Sequence, residues 1–402
     1  MKIVTNMSRG MSSLLLSKYA CHRALLLKNV ERCCSTQSFR FEDLKINLAM
    51  SHQLMRKPEA STLAFGATFS DHMFQVEWTH FGGWGIPQIV PLHNFQMHPG
   101  SKVFHYGQAI FEGMKAFRHA NGKVTLFRPE LNIQRLLSSS ERSSLPTFDR
   151  DELLKCLKKL VSIDKQWVPD LDMSSLYIRP TFIGVEGTLG VSAAKTALLY
   201  IITCPVGPYF GKDITKPVSL LADPKFVRAW PGGVGHFKMA SNYAPTLYVQ
   251  KLAQEQGLDQ VLWLSGADLQ IAEGGAMNIF ILLKTKSGGV ELVTPPLDGT
   301  ILPGITRKSV LELTRKWNEF TVSERTLTMN ELLEAKINKR LLEIFLCGTA
   351  CCVCPVKLIR FQGDDIEIPT MESGMKLYLR VLKTLTDIQY GRIKSEWSVD
   401  IE

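Results

Sequence analysis

Lys238 lies in "GGVGHFKMASNYAP", residues 232–245, and is the only residue there able to act as a nucleophilic amine. Gly232, Gly233 and Gly235 lead into it, Phe237, Met239 and Ala240 flank it, and the stretch holds no carboxylate. Desolvation in such a setting disfavours the ammonium form of a lysine. A neutral amine attacks carbonyls and forms a Schiff base. Lys238 is therefore a candidate for holding an aldehyde group. A lone lysine more often lays its stem on the surface and keeps its head in water, so the rest of the chain has to supply a site.

An aldehyde cofactor such as pyridoxal phosphate needs a phosphate cradle, an acid facing its pyridine nitrogen, and a surface for its ring. "LPGITRKSV", residues 302–310, puts a Pro-Gly turn before a helix start. There the backbone N–H groups of Ile305 and Thr306, with the Thr306 hydroxyl, form a candidate anion site. An ordinary capped helix start reads the same way. "IAEGGAMNIF", residues 271–280, places Glu273 between a strand end and a Gly-Gly turn. A buried carboxylate needs a cationic partner, and a protonated pyridine is one. A solvated hairpin acid is the plainer alternative.

These residues must be positioned by a mixed α/β chain. "RDELLKCLKKLVSIDKQW" has helical apolar spacing at Leu153, Leu157, Leu160 and Val161, with Asp149 and Glu152 suited to cap its start. "SLYIRPTFIG" and "ALLYIITCPVG" read as strands ended by turn residues, and "QVLWLS" and "NIFILLK" as buried strands. "GITRKSVLELTRKW", "TMNELLEA" with a Thr328–Glu331 capping box, and "MKLYLRVLKTLTDIQYG" read as helices. The Pro- and Gly-dense segment 205–217 reads as an interdomain linker between a smaller N-terminal domain, 41–204, and a larger C-terminal one, 218–402.

With 45% hydrophobic and 21% charged residues the composition is that of a globular protein. No apolar run is long enough to span a bilayer, so no membrane partner is expected. The net charge is +9, and residues 1–40 alone carry seven basic residues and one acid, or +6, leaving +3 for the rest. That distribution gives no basic stripe for nucleic acid. The Arg-, Ser- and Leu-rich, acid-poor residues 1–40 have the composition of a mitochondrial transit peptide, and equally of a disordered tail.

Taken together, "FEGMKAF", "LFRPELNIQRL", "SLYIRP", "LLADPKFVRAWPGGVGHFKMASNY", "EGGAMNIF", "TPPLDGTILPGITR" and "GTACCVCPV" closely resemble the eukaryotic branched-chain amino acid aminotransferases, which are fold type IV pyridoxal phosphate enzymes. The resemblance covers about residues 60–397 and implies two α/β domains with the active site between them. It implies transamination of leucine, isoleucine and valine with 2-oxoglutarate, giving branched-chain 2-oxo acids and glutamate. With the presequence, it implies the mitochondrial matrix form and a homodimer. Lys238 resembles the Schiff-base lysine and proton shuttle, Glu273 the partner of the pyridine nitrogen, and Tyr243 the residue bonded to the ring hydroxyl. Arg135, Ile305, Thr306 and Thr349 match the phosphate donors. Thr349 and Ala350 match the turn that holds the substrate carboxylate. Phe65, Tyr106, Phe111, Tyr177, Val191 and Tyr209 match the side-chain pocket, a largely aromatic and uncharged set. Arg179 and the tyrosine hydroxyls are suited to the distal carboxylate of glutamate. Ala276 stands where the family usually has a hydroxyl, so one cofactor-side hydrogen bond is expected to be missing.

Other readings start from the same residues. A D-amino acid aminotransferase or an aminodeoxychorismate lyase shares the fold, and a cofactor-free interaction protein retaining it is a third. A zinc module on "CCVC" lacks a second ligand pair, so no metal is expected. Cys351 and Cys354 form a Cys-x-x-Cys pair directly after the Thr349–Ala350 turn. If loop N–H groups lower one thiol's pKa, the pair becomes a redox switch; otherwise both are small core residues.

Overall fold

A computed structural model describes residues 38–209 and 215–402. The expected presequence up to residue 37, and positions 210–214 of the expected linker, lie outside the described residues.

Nine strands before residue 207 and one from the end of the chain assemble into a ten-stranded sheet. Its backbone is the hairpin of Ser175–Gly184 and Thr196–Val206, antiparallel from Ser175 opposite Val206 to Gly184 opposite Ala197. His72–Thr79 and Gln88–Pro91 extend it on one side, Met114–Arg118 and Val124–Phe127 on the other. The helices Pro129–Arg142 and Arg150–Ile163 pack with it, sharing a core of Leu136, Leu153, Leu157, Leu160, Ile178, Phe182 and Leu199. The second helix starts where its cap predicts, the Asp149 carboxylate accepting from the N–H of Asp151 and Glu152 at 2.8 and 3.0 Å. Glu152 does not close the box; it accepts from the N–H of Phe41 and pairs with Lys155.

From residue 218 a nine-stranded sheet forms. Six of its strands close on themselves: Gln270–Gly274, Gln260–Ser265, Val218–Ala222, Cys352–Phe361, Leu341–Gly348 and Met277–Lys284, the last pairing back to the first. Leu220, Leu262, Ile279, Ile344, Leu346 and Val356 fill the core of this barrel. Outside lie the helices Ile305–Trp317 and Leu377–Gln389. Thr328 caps the helix Met329–Ile337 by accepting from the N–H of Glu331 at 3.2 Å, while the Glu331 carboxylate turns to Arg325.

The two sheets share a cluster in which Phe117 and Phe127 of the first meet Phe280, Phe345 and Leu382 of the second half. The last strand, Ser398–Asp400, returns to pair with Val124–Phe127. The halves are thus tied by apolar packing and by a strand that recrosses the seam.

Leu157 is fully buried on its helix, and truncation there leaves a cavity that the sheet cannot close. Leu157→Ala is expected to cost about 2–5 kcal/mol in urea denaturation. A loss under about 1 kcal/mol would mean that the helix does not pack as described.

Candidate active site

Lys238 lies at the seam between the two sheets. Its backbone N–H donates to Ser139 Oγ at 3.0 Å and its carbonyl accepts from the N–H of Phe111 at 3.1 Å. Met239 adds a β-bridge to Ile110 and packs on the first core. The apolar flanks of Lys238 are therefore contacts with the first half of the chain. Its amine donates to Tyr243 Oη at 2.9 Å and lies 4.7 Å from the centre of the Phe111 ring. The absence of nearby acids in sequence does not carry over into space, because Glu112 and Glu273 both feel the Lys238 charge.

Glu273 sits where the barrel closes, paired across the strands with Asn278. It is buried, and its Oε1 accepts from Asn278 Nδ2 at 3.1 Å and from the N–H of Leu302 at 2.9 Å. Arg228 Nε lies 2.8 Å from Oε2, close enough for an ion pair but not aligned as a hydrogen bond. Burial pushes the Glu273 carboxyl above its ordinary range, and Arg228 does not overcome it. This carboxylate is short of positive charge.

Glu112 is the opposite case. It is also fully buried, but Arg135 donates to both of its oxygens, from Nε at 2.6 Å and Nη2 at 2.9 Å, and Asn132 adds a bond at 2.8 Å. Burial acts to raise its pKa, and the Arg135 guanidinium outweighs that and holds it below the ordinary carboxylate range. Arg135 also donates from Nη1 to the Pro303 carbonyl at 3.0 Å. It thereby fixes the turn that opens the helix Ile305–Trp317. That helix has no side-chain cap on Gly304. A Cβ at Gly304 would stand 2.0 Å from Asn278 Oδ1, so only glycine lets this turn approach the Glu273 hairpin.

These groups surround one cavity of about 350 Å³. Of the residues expected at a site, it gathers Phe65, Phe111, Arg135, Tyr177, Arg179, Tyr209, Lys238, Tyr243, Glu273, Ile305, Thr306, Thr349 and Ala350, together with Ala276. Arg179 stacks 4.8 Å over Phe111 and donates to Tyr177 Oη at 3.0 Å, while its buried Nε has no partner among the described residues. Tyr177 reaches inward because position 113 is glycine; a Cβ there would stand 2.0 Å from its hydroxyl.

Tyr106 and Val191 are not brought to this cavity within one chain. Both are exposed, and Tyr106 Oη donates to the Leu189 carbonyl. Val191 lies on the loop beyond the far end of Ser175–Gly184, a strand end roughly 17 Å past Arg179 at ~3.4 Å per residue. Cys351 and Cys354 are free thiols, half-buried and buried. Neither is acidified as loop N–H donors would require: burial pushes Cys354 up to about 12 and Cys351 well above the ordinary thiol range. The turn's donors do not offset the apolar wall that encloses the sulfurs.

Residues 109–359 match the class IV amino-transferase family. Over 364 residues the chain is 52% identical to the cytosolic branched-chain-amino-acid aminotransferase of Rattus norvegicus, covering 90% of this chain and 88% of that protein. It is 50% identical over 373 residues to the mitochondrial form from Mus musculus, covering 92% and 94%. The crystal structure of the Escherichia coli branched-chain amino acid aminotransferase matches with a TM-score of 0.65 at 25% identity, covering 78% of this chain and 97% of that one. This chain is a class IV aminotransferase.

Class IV aminotransferases work with pyridoxal 5′-phosphate, and the donor set fits that group. The under-compensated carboxylate of Glu273 suits a protonated ring nitrogen, the uncapped helix start at Ile305 and Thr306 suits a phosphate, and Lys238 opens onto the same cavity. Sequence reasoning missed Glu112, Arg228 and Asn278, each of which orients a member of this aminotransferase site. Glu112 stands in "FEGMKAF" as a lone acid in an apolar run, and that was its only signal.

A carboxyl whose folded pKa is lowered stabilises the fold above its unfolded value, and the contribution is lost as pH falls through the folded value. Glu112→Gln is therefore expected to lose about 3–5 kcal/mol at pH 7. The gap to wild type should narrow as denaturation is repeated towards pH 3. A gap of equal size at both pH values would show that the charge of Glu112 contributes nothing.

Proposed function

We propose that this aminotransferase moves the amino group of leucine, isoleucine or valine to 2-oxoglutarate, giving branched-chain 2-oxo acids and glutamate. The supporting observation is one cavity in which Lys238, Glu273 and an aromatic wall meet, in a chain half identical to proteins named for that activity. When bound, pyridoxal phosphate supplies a ring that spreads the charge left as the substrate's Cα proton departs.

Each residue then has a defined task. Lys238 Nζ, bonded to Tyr243 Oη in the cavity, would hold the cofactor through its aldehyde group, and the same amine is placed to take the substrate's Cα proton. Glu273 would keep a proton on the ring nitrogen, and Tyr243 would hold the ring hydroxyl. Ile305 and Thr306 N–H groups, the Thr306 and Thr349 hydroxyls and the spare donors of Arg135 would hold the phosphate. Because Glu112 already neutralises Arg135, that arginine acts as an oriented donor more than as a free charge. The Thr349–Ala350 turn holds the substrate carboxylate. Phe65, Phe111, Tyr177 and Tyr209 enclose a branched apolar side chain, and Arg179, with an N–H unpaired among the described residues, receives the distal carboxylate of glutamate. Ala276 faces the same cavity without a hydroxyl, so cofactor retention is weaker than in relatives that have one.

The proposed assembly is a homodimer of two-domain subunits, residues 41–204 and 218–402. Tyr106 and Val191, with Phe104 and Leu189, form an exposed apolar group whose burial by a second copy would remove it from water. The proposed location is the mitochondrial matrix, reached by residues 1–40.

Lys238→Ala is expected to abolish transamination of leucine while circular dichroism stays that of the wild type. Borohydride reduction of the wild type should leave the pyridoxyl group on the Lys238 peptide; a label on another lysine would overturn the assignment. A fluorescent reporter carrying residues 1–45 should enter mitochondria, and its retention in the cytosol would count against the transit peptide.

A further inference from the structure

Lys115 lies on the strand Met114–Arg118, opposite Tyr177 of the neighbouring strand. Its amine reaches across the seam to the second half and donates to the Ala350 carbonyl at 2.9 Å. Ala350 belongs to the turn between the strands Leu341–Gly348 and Cys352–Phe361. Lys115 also lines a small cavity behind that turn, with Met173, Pro208 and Tyr390. It lines a second small cavity with Thr306, Gly348 and Thr349, and it does not line the larger cavity that holds Lys238 and Glu273.

The surroundings of this ammonium are unusual for a lysine. Among the described residues no carboxylate forms an ion pair with it, and the anionic candidates acting on it are the thiols of Cys352, Cys351 and Cys204. Those thiols do not supply a charge at neutral pH, because burial pushes Cys352 up to about 11, Cys351 well above the ordinary thiol range, and Cys204 above its ordinary value. Burial also works against the ammonium itself. A cation taken out of water without an anion is costly, and the cost is relieved when an anion comes to rest nearby. The carbonyl it touches belongs to the turn on which the proposed function seats the α-carboxylate of an amino acid or 2-oxo acid.

We propose that Lys115 is a positioning residue for the substrate carboxylate: through the Ala350 carbonyl it fixes the turn and supplies the positive charge that an anion seated there neutralises. This rests on the proposed function, which places the carboxylate at Thr349–Ala350. Lys115 does not line the cavity of Lys238 and Glu273, and it moves no proton. Its effect is on the affinity of carboxylate-bearing ligands. It acts equally on both substrates of the reaction, because both carry the same α-carboxylate.

The test compares two ligands that differ only in that charge, 4-methylpentanoate and 4-methylpentanamide, binding to the holoenzyme by calorimetry. Lys115→Met removes both charge and hydrogen bond, Lys115→Gln keeps a donor but no charge, and Lys115→Arg keeps the charge. Met and Gln are expected to weaken 4-methylpentanoate binding by about tenfold or more and to leave the amide unchanged, with Arg restoring most of the loss. In turnover, the KM for leucine rises by a similar factor while kcat falls less than about threefold, since the carboxylate contact is made in ground and transition state alike. Equal weakening of acid and amide, or none, would overturn the proposal, the former showing a merely structural role. If Lys115→Met loses the cofactor absorbance, the Gln variant carries the same comparison. Failure of the wild type to turn over leucine would count against the proposed function alone, because the calorimetric comparison does not depend on turnover.

Discussion

The buried pair of Glu112 and Arg135 is the interaction on which the rest of the site depends. Glu112 follows a strand of the first sheet, Arg135 stands on the helix Pro129–Arg142, and the Pro303 carbonyl that Arg135 also holds belongs to the second half. One guanidinium therefore joins the sheet, its helix and the turn that opens the helix Ile305–Trp317. A buried ion pair gains little over apolar packing, but breaking it leaves an uncompensated charge. Its value here is geometric. It sets the distance between the two halves at the point where they enclose the cavity.

The two buried glutamates show how a fold separates structural charge from functional charge. Glu112 is satisfied by a bidentate partner, and its carboxyl is held low. Glu273 has Asn278, a backbone N–H and a poorly aligned arginine, and its carboxyl is pushed up. Both are equally removed from water. The difference is the number and aim of the donors around each. A carboxylate left in deficit inside a cavity favours a cation there, and one fully paired does not. Lys238 acts on both, and it is held by Tyr243 and by backbone bonds to the first half.

The aromatic wall follows from the same economy of backbone. Gly113 and Gly304 are where side chains are missing so that Tyr177 and the Pro303–Ile305 turn can approach their partners. The strand Ser175–Gly184 then presents Tyr177 and Arg179 to the same cavity, two residues apart and so on one face.

Much was legible without coordinates. The helices at 150–163, 305–317 and 377–389 were legible because their apolar residues repeat at helical spacing, and the starts of the first and of Met329–Ile337 because Asp149 and Thr328 are caps by chemical type. Lys238, Glu273 and the Ile305–Thr306 turn were legible because each sits in a local sequence whose chemistry is odd for a plain core. What local sequence could not contain was any fact about distance. It could not show that the acid-free surroundings of Lys238 include two glutamates from remote strands, or that Arg135 is neutralised by Glu112. It could not show that Tyr106 and Val191 do not line the cavity in a single chain. Nor could it show that the cysteine pair lies against an apolar wall that suppresses its ionisation. Residue type and spacing determine which groups are able to ionise, cap or attack. Only the closing of two sheets about one seam decides which charges meet, because electrostatic and desolvation energies depend on separation in space, and separation along the chain does not determine it.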